Sequence, residues 1–394
     1  MSDNTFAQHG ASAVAVAVSG GADSLYALLA LHKQGRAQAF RVFALHGIFL
    51  QGADDTKSAQ AATAMRERLA ESCARIGASL HTVDLTEGFS DLVIRPFVQS
   101  YALGLTPNPC ALCNAAIKFG LLLDAARALG ADRLATGHYA RLKQGDASCL
   151  ARLERRNALC SPALLQGRDP LKDQSYFLAL VPQEALASAL FPLGDTTKTE
   201  VLAALARHGL DAPEPRESQE VCFVPNNEYR DFIPRMAARF GAALSGPGPM
   251  LLRDGRRVGT HKGLWHYTEG QRKGLGVGWK EPLHVLAKEQ ASNILRLGAK
   301  DELRQGSIVC GEVNILLAPD HWPDTVLVKT RYREQPRPAA ARLVPAQEGP
   351  GRQELHIRFA QPESAVAPGQ IAAVYVPGQE DADGLRLAAG GVIM

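Results

Sequence analysis

From Ala13 to Val18 the chain is apolar for six residues and β-branched at every second one, which predicts a short buried strand. SGGADS, Ser19 to Ser24, breaks that run, and LYALLALHKQG then places apolar residues at helical spacing. The order is strand, glycine turn, helix. A second apolar run over 40–50 predicts a strand, the alanine- and charge-rich 58–76 a helix, and 79–84 a third strand. Helical patterns over 90–101 and 115–129 lead to a short strand at 133–136. Strands alternating with helices imply βαβ units, a parallel sheet and an α/β fold.

Beyond Gly137 the pattern loosens, with helices expected over 184–190 and 197–208 and a proline-containing connection at 211–221. A domain boundary is expected shortly after it. From Gly246 onward glycine, proline and short β-rich runs at 325–330, 354–359 and 371–376 predict a β-rich tail of one or two modules. No internal repeat is visible.

Composition narrows the class. With 394 residues, 46% hydrophobic and 21% charged, the chain reads as a soluble globular protein of two or three domains. A net charge of +3 is too mild to announce a nucleic-acid partner, although a local basic face can hide in it. Seven cysteines over this length do not make a dense disulfide framework, so a reducing compartment is expected. The Ala/Val run lacks a basic region ahead of it, so no signal segment is read there. No long uncharged apolar stretch occurs, and no membrane span is expected.

The glycine turn sits where open α/β sheets place ligands. Gly20 and Gly21 let backbone N–H groups approach an anion, and Ser19, Ser24 and the helix start add donors and a positive dipole end. Phosphate suits such a turn, yet it is neither GxxxxGK[ST] nor GxGxxG. The plain alternative is a tight turn with Asp23 as helix N-cap.

In TPNPCALCNAAIKFG, residues 106–120, Cys110 and Cys113 lie just ahead of a helix expected to begin near Asn114. That position predicts lowered thiol pKa values. With the remote Cys222 in SQEVCFV, three uses stay open: structural zinc, a redox pair, or sulfur handling with or without an iron–sulfur cluster. Cys73 and Cys310 read as core residues, and Cys149 and Cys160 as bystanders.

SGGADS resembles the SGGxDS signature of the PP-loop ATP pyrophosphatases. Together with TPNPCALCN and IKFG, ATGHYAR, LKDQSYFL, FPLG, SQEVCFV and EGQRKGLGVG, in that order, the sequence resembles the tRNA-specific 2-thiouridylase family. That resemblance implies a Rossmann-like PP-loop domain over 1–222, a small central β-rich module over 223–304 and a C-terminal β-barrel-like domain over 305–394. It implies a cytoplasmic enzyme that adenylates the wobble uridine of tRNA with ATP and Mg²⁺ and replaces its C2 oxygen by sulfur. Ser19, Gly20, Gly21, Asp23, Ser24, Leu45 and Gly137 would serve ATP, with Asp23 also on Mg²⁺. Asn108, Pro109 and Cys110 would line the target-base pocket. His138, the Lys172, Asp173 and Gln174 segment, Arg331, Tyr332 and Gln370 would contact tRNA.

By the same resemblance Cys222 carries a persulfide delivered by a sulfur-relay protein or cysteine desulfurase, and Cys113 attacks or resolves it, leaving a Cys113–Cys222 disulfide. Position 110 departs from the pattern: many members have Asp in an NPD triplet, whereas here it is NPC. A [4Fe–4S] cluster on Cys110, Cys113 and Cys222 is the alternative sulfur route. ALHGIFLQGADD stands where members often show an MKNW-like segment, which leaves the adenine contact at Leu45 open, and SLYALL replaces a second serine and small residues. Independently, residues 329–342 set five basic residues against one acidic with Tyr332 between them, a pattern suited to RNA backbone and stacking.

Overall fold

The protein, seen in a computed structural model, is described over residues 13–50, 56–143, 162–211, 221–224, 228–346, 351–364, 366–378 and 384–394. Cys149 and Cys160, and most of the 211–221 connection, lie outside the described residues.

In chain order the first domain contains β1 (Ala13–Ala17), β2 (Arg41–Ile48), β3 (Leu80–Asp84), β4 (Arg133–Ala135), the hairpin strands β5 (Ala140–Lys143) and β6 (Ala163–Gln166), and β7 (Ala189–Leu190). Its parallel sheet has the order β3-β2-β1-β4-β7. The chain steps outward from β1 to β3 and then returns to β4 on the other side of β1, so the order reverses between β1 and β4. A ligand crevice forms at such a reversal. β1 is apolar throughout because both faces are covered. Val14 and Val16 pack with Leu25, Leu28 and Val201, while Ala13 and Ala15 pack with Phe43, Leu45 and Leu122.

Three local readings change. The helix expected near Asn114 starts at Pro109, because Asn108 accepts the Ala111 N–H at 3.2 Å and caps it, and proline suits the first helical position. The helix expected over 184–190 ends at Ala187; Ala189 and Leu190 are drawn into the sheet beside Leu134 and Ala135. The helix over 90–101 starts earlier, at Thr86, and carries a π-helical turn at Ser90–Ile94. Pro109–Ala128 is long and apolar enough to cross a membrane by length and composition, but half of it is buried inside this fold.

Helix Tyr229–Phe240, beyond the expected boundary, packs Phe232 and Ile233 against Phe89, Val93 and Phe97 of the first domain. The central sheet, β8 (Gly248–Leu252), β9 (Arg257–His261), β10 (His284–Glu289) and β11 (Ile294–Gly298), has the order β10-β11-β8-β9. The tail contains β12 (Arg304–Ile315), β13 (Val326–Lys329), β14 (Arg337–Pro345), β15 (Gln353–Ser364), β16 (Ile371–Pro377) and β17 (Leu385–Ile393). β12 pairs with both β15 and β17, which closes the tail into a barrel. Arg386 of β17 also pairs with Leu165 of β6, so the first domain's hairpin extends the barrel sheet.

Candidate active site

The glycine turn follows β1 at the reversal. Gly20 has φ +91°, a conformation that favours glycine, and Gly21 precedes helix Ala22–Gln38 with no side-chain cap. Ser24 locks the turn: its Oγ donates to Gly21 O at 2.9 Å and accepts from Ser19 N at 3.2 Å. Asp23 is therefore not the N-cap. It lies inside the first helical turn, and its Oδ1 accepts from Tyr139 Oη and from Lys198 Nζ, each at 2.7 Å. The loop thus joins backbone donors to a lysine ammonium at a helix start, an arrangement that suits phosphate.

Gly137 follows β4 and abuts this loop. A Cβ there would lie 2.8 Å from Asp23 C and Ser24 N, both backbone atoms. Gly137→Ala is expected to push the glycine turn aside and, on the role the resemblance implies for it, raise the KM for ATP about tenfold to a hundredfold, while circular dichroism stays that of the native fold. A titration of ATP against initial rate checks it.

Past Gly137, His138 is 6% exposed, between the rings of Phe119 and Phe191. Its Nδ1 lies 2.7 Å from Thr136 Oγ1 and its Nε2 3.5 Å from Lys118 Nζ. Burial first and Lys118 second push its pKa well below the ordinary range, so the ring is neutral and Nε2 can accept from the lysine.

Lys118 faces the thiols. It acts electrostatically on Cys110, Cys113 and Cys222, and Cys222 acts on Cys110 and Cys113, so the three thiols share one region of the structure. Asn114–Leu121 is π-helical, with Leu122 N–H bonded back to Ile117 O. Residues five apart, such as Cys113 and Lys118, face one side of a π-helix but different sides of an α-helix.

Cys110 and Cys222 reach the surface and Cys113 is half-buried against the cluster of Phe223, Phe232 and Ile117. The expected lowering of thiol pKa is overturned. Burial pushes the Cys113 thiol up to about 12, with Lys118 opposing; Cys110 and Cys222, surface residues whose thiols are crowded by neighbouring atoms, are raised in the same direction. At Cys113 the desolvation by the aromatic cluster outweighs a single helix start and one cation. All described cysteines are free thiols, so the Cys113–Cys222 disulfide is not formed here. Among the described residues no group of three His, Cys, Asp or Glu side chains has metal-site geometry.

Several predicted contacts are engaged within the protein. Leu45 is fully buried, and its carbonyl accepts from Val18 N at 3.0 Å. Asp173 is 5% exposed; it accepts from Gly167 N at 3.0 Å and from Ser175 N at 3.1 Å and Oγ at 3.0 Å. Gln174 Oε1 accepts from Tyr139 N at 3.1 Å, and Lys172 is part-exposed on the same loop. Asn108 caps its helix, and Pro109 is buried.

On the barrel, Arg331 is half-exposed beside Glu334 at 3.6 Å and the Tyr332 ring lies tilted against Phe177, 4.6 Å between centroids. Lys329 is buried beneath Tyr176 and Tyr332, which leaves Arg331, Arg333, Arg337 and Arg342 as the exposed cations of the basic stretch. Gln370 donates to the carbonyls of Thr106, at 2.8 Å, and Pro107, at 3.1 Å. Lys118 and Lys198 escaped the sequence reading, although each lies in or just beyond a quoted motif, IKFG and FPLG.

Three family profiles match in succession: a tRNA methyl transferase HUP domain over 12–226, a tRNA methyl transferase PRC-barrel domain over 242–299 and an aminomethyltransferase β-barrel domain over 307–393. The tRNA-specific 2-thiouridylase MnmA of Nitratidesulfovibrio vulgaris (strain DSM 19637 / Miyazaki F) is 45% identical over 381 residues, covering 97% of this chain and 99% of its own. That of Oleidesulfovibrio alaskensis is 47% identical over 380 residues, covering 96% and 98%. A solved U34-tRNA thiolase NcsA from Methanococcus maripaludis with its [4Fe-4S] cluster matches at TM-score 0.33 and 17% identity over 58% of this chain and 67% of its own.

Proposed function

The chain belongs to the tRNA-specific 2-thiouridylase family and is a tRNA-uridine thiolating enzyme of the PP-loop type, and from that premise we propose that it activates the wobble uridine by adenylation and delivers sulfur through Cys222 and Cys113. One juxtaposition supports this reading. Residues 136–139 touch the phosphate loop through Gly137 and Tyr139 and the thiol cluster through His138 and Lys118.

A uridine C2 oxygen is a poor leaving group. Its attack on the α-phosphorus of ATP expels pyrophosphate and converts it into part of AMP, a good one. The glycine turn and Lys198 hold the phosphates. Asp23 would hold Mg²⁺ through its carboxylate, and the ion would neutralise charge on the departing pyrophosphate. The terminal sulfur of a Cys222 persulfide then bonds to C2 as AMP leaves. Attack by Cys113 on the Cys222 sulfur breaks the S–S bond and leaves sulfur on the uridine and a Cys113–Cys222 disulfide, which an external thiol reduces.

The three thiols are chemically suited to a cluster, but no step is routed through one, since no described ligand group has metal-site geometry. Cytoplasmic tRNA is the substrate, and a sulfur-relay protein or cysteine desulfurase is the donor. Incubation with tRNA, ATP, Mg²⁺ and a persulfide donor, followed by nucleoside mass spectrometry, tests the reading. Iron-free protein should form 2-thiouridine; activity that requires stoichiometric iron and sulfide overturns the persulfide route.

Arg331 and Arg333 present charge for the RNA backbone. Their double replacement by Gln is expected to weaken tRNA binding and lower the slope of log affinity against log salt by about one per lost phosphate contact. Fluorescence anisotropy across a salt series measures it; unchanged affinity removes these residues from the interface.

A further inference from the structure

The motif EGQRKGLGVG begins at Glu269, in the central domain and away from the phosphate loop, and the chemistry above gives it no task. Its place in the fold suggests one. Lys288 of β10 has a side chain 2% exposed, lies 3.3 Å from the buried Glu269 Oε2, and donates to Tyr267 O at 3.0 Å and to Thr106 Oγ1 at 3.1 Å. Thr106 Oγ1 also lies 3.3 Å from Thr268 Oγ1.

The barrel reaches the same residue from the other side. Thr106 N donates to Pro368 O at 2.8 Å, and Gln370 Nε2 bonds the Thr106 and Pro107 carbonyls. A Cβ on Gly369, whose φ is +91°, would lie 3.0 Å from Thr106 N and O, so the two backbones are in direct contact.

We propose that residues 105–107 form a tether through which the central module and the C-terminal barrel together set the position of the Asn108–Cys113 turn, with Gln370 and Lys288 as positioning residues for thiolation. The connection has little slack. Pro107 and Pro109 fix their own φ and restrict the residue before each, so displacement at Thr106 passes to Asn108, whose amide oxygen caps the helix bearing both cysteines. A buried ion pair is expensive to desolvate and is a weak source of stability, which fits a role in specifying one geometry. A tRNA held by the barrel would thereby be held in register with Cys110 and Cys113. This rests on the thiolation reading, and the test separates the two.

Gln370→Glu keeps the size and removes the donor. Lys288→Met combined with Glu269→Gln removes the pair without stranding a buried charge. Each variant is expected to lower single-turnover thiolation about tenfold, to leave the Kd for tRNA within twofold, and to speed hydrogen–deuterium exchange over 105–113 in the free protein about tenfold. Lys288→Arg, which keeps a donor and a positive charge, should restore slower exchange. Weakened tRNA binding with thiolation at saturating tRNA intact would make Gln370 a direct tRNA contact and overturn the proposal, as would unchanged exchange in both variants. The exchange measurement needs no tRNA and no sulfur donor, so it decides the tether even if the chemistry of the site is otherwise.

Discussion

Protein carrying Cys113→Ser, supplied with tRNA, ATP and Mg²⁺, should retain tRNA-dependent exchange of pyrophosphate into ATP while 2-thiouridine formation falls by more than about 10³-fold. Adenylation depends on the glycine turn, Asp23 and Lys198, which belong to different elements from the CxxC helix. Sulfur transfer needs a second thiol to break the persulfide bond, and a serine hydroxyl cannot become the partner in a disulfide. Cys222→Ser should lose thiolation as fully, because no sulfur is loaded. A ligase of the same superfamily would have no use for either thiol. Activity surviving both substitutions would point there.

Lys118→Met should lower thiolation about a hundredfold, the range that follows from removing one preorganised charge at a reacting centre. Lys118 is the cation opposing desolvation at all three thiols. The sign follows from Cys113. With burial holding its pKa near 12, the free enzyme carries a neutral thiol at pH 7, and the thiolate fraction grows about tenfold per pH unit up to that value. Removing the ammonium raises the pKa further. Alkylation by iodoacetamide should therefore be slower in Lys118→Met at every pH from 7 to about 10, with no inflection near neutrality in either protein. Lys118→Arg should recover most of the loss. A low-pKa inflection that persists in Lys118→Met would show that the thiol is activated by something other than this lysine.

The parallel sheet was legible because β1 is apolar on both faces and followed at once by a glycine turn, a local pattern that only a buried strand satisfies. β14 and β17 were not singled out. β17, LRLAAGGVI, is small-residue-rich because Gly390 lies against the Ala179 backbone, a constraint imposed by packing between domains that no local periodicity records. Cys110, Cys113 and Cys222 could be named as a set from their motifs, and Cys110 and Cys113 lie within electrostatic reach of Cys222. Their protonation could not be read. At Cys113 it depends on packing against Phe223 and Phe232, which arrive from much later in the chain.

Lys118 and Lys198 escaped for a related reason. A lysine on a helix is normally a solvated charge, and only the π-helical turn and the approach of helix Lys198–Arg207 to Asp23 bring them inward. Gln370 and Asp173, read as RNA contacts, turned out to have their polar atoms bonded within the protein. The spacing of a motif identifies its neighbours in sequence, whereas the partners of Lys198 and Gln370, Asp23 and residues 106–107, lie far from them along the chain.

The central claim is that the uridine oxygen leaves as part of AMP. Transcribed tRNA labelled with ¹⁸O at the C2 oxygen of the wobble uridine, incubated with the enzyme, ATP, Mg²⁺ and a persulfide donor, tests this directly by mass spectrometry of the released AMP. The expected result is one ¹⁸O atom in AMP for each 2-thiouridine formed. Formation of 2-thiouridine with unlabelled AMP, or with label appearing in water, would contradict it.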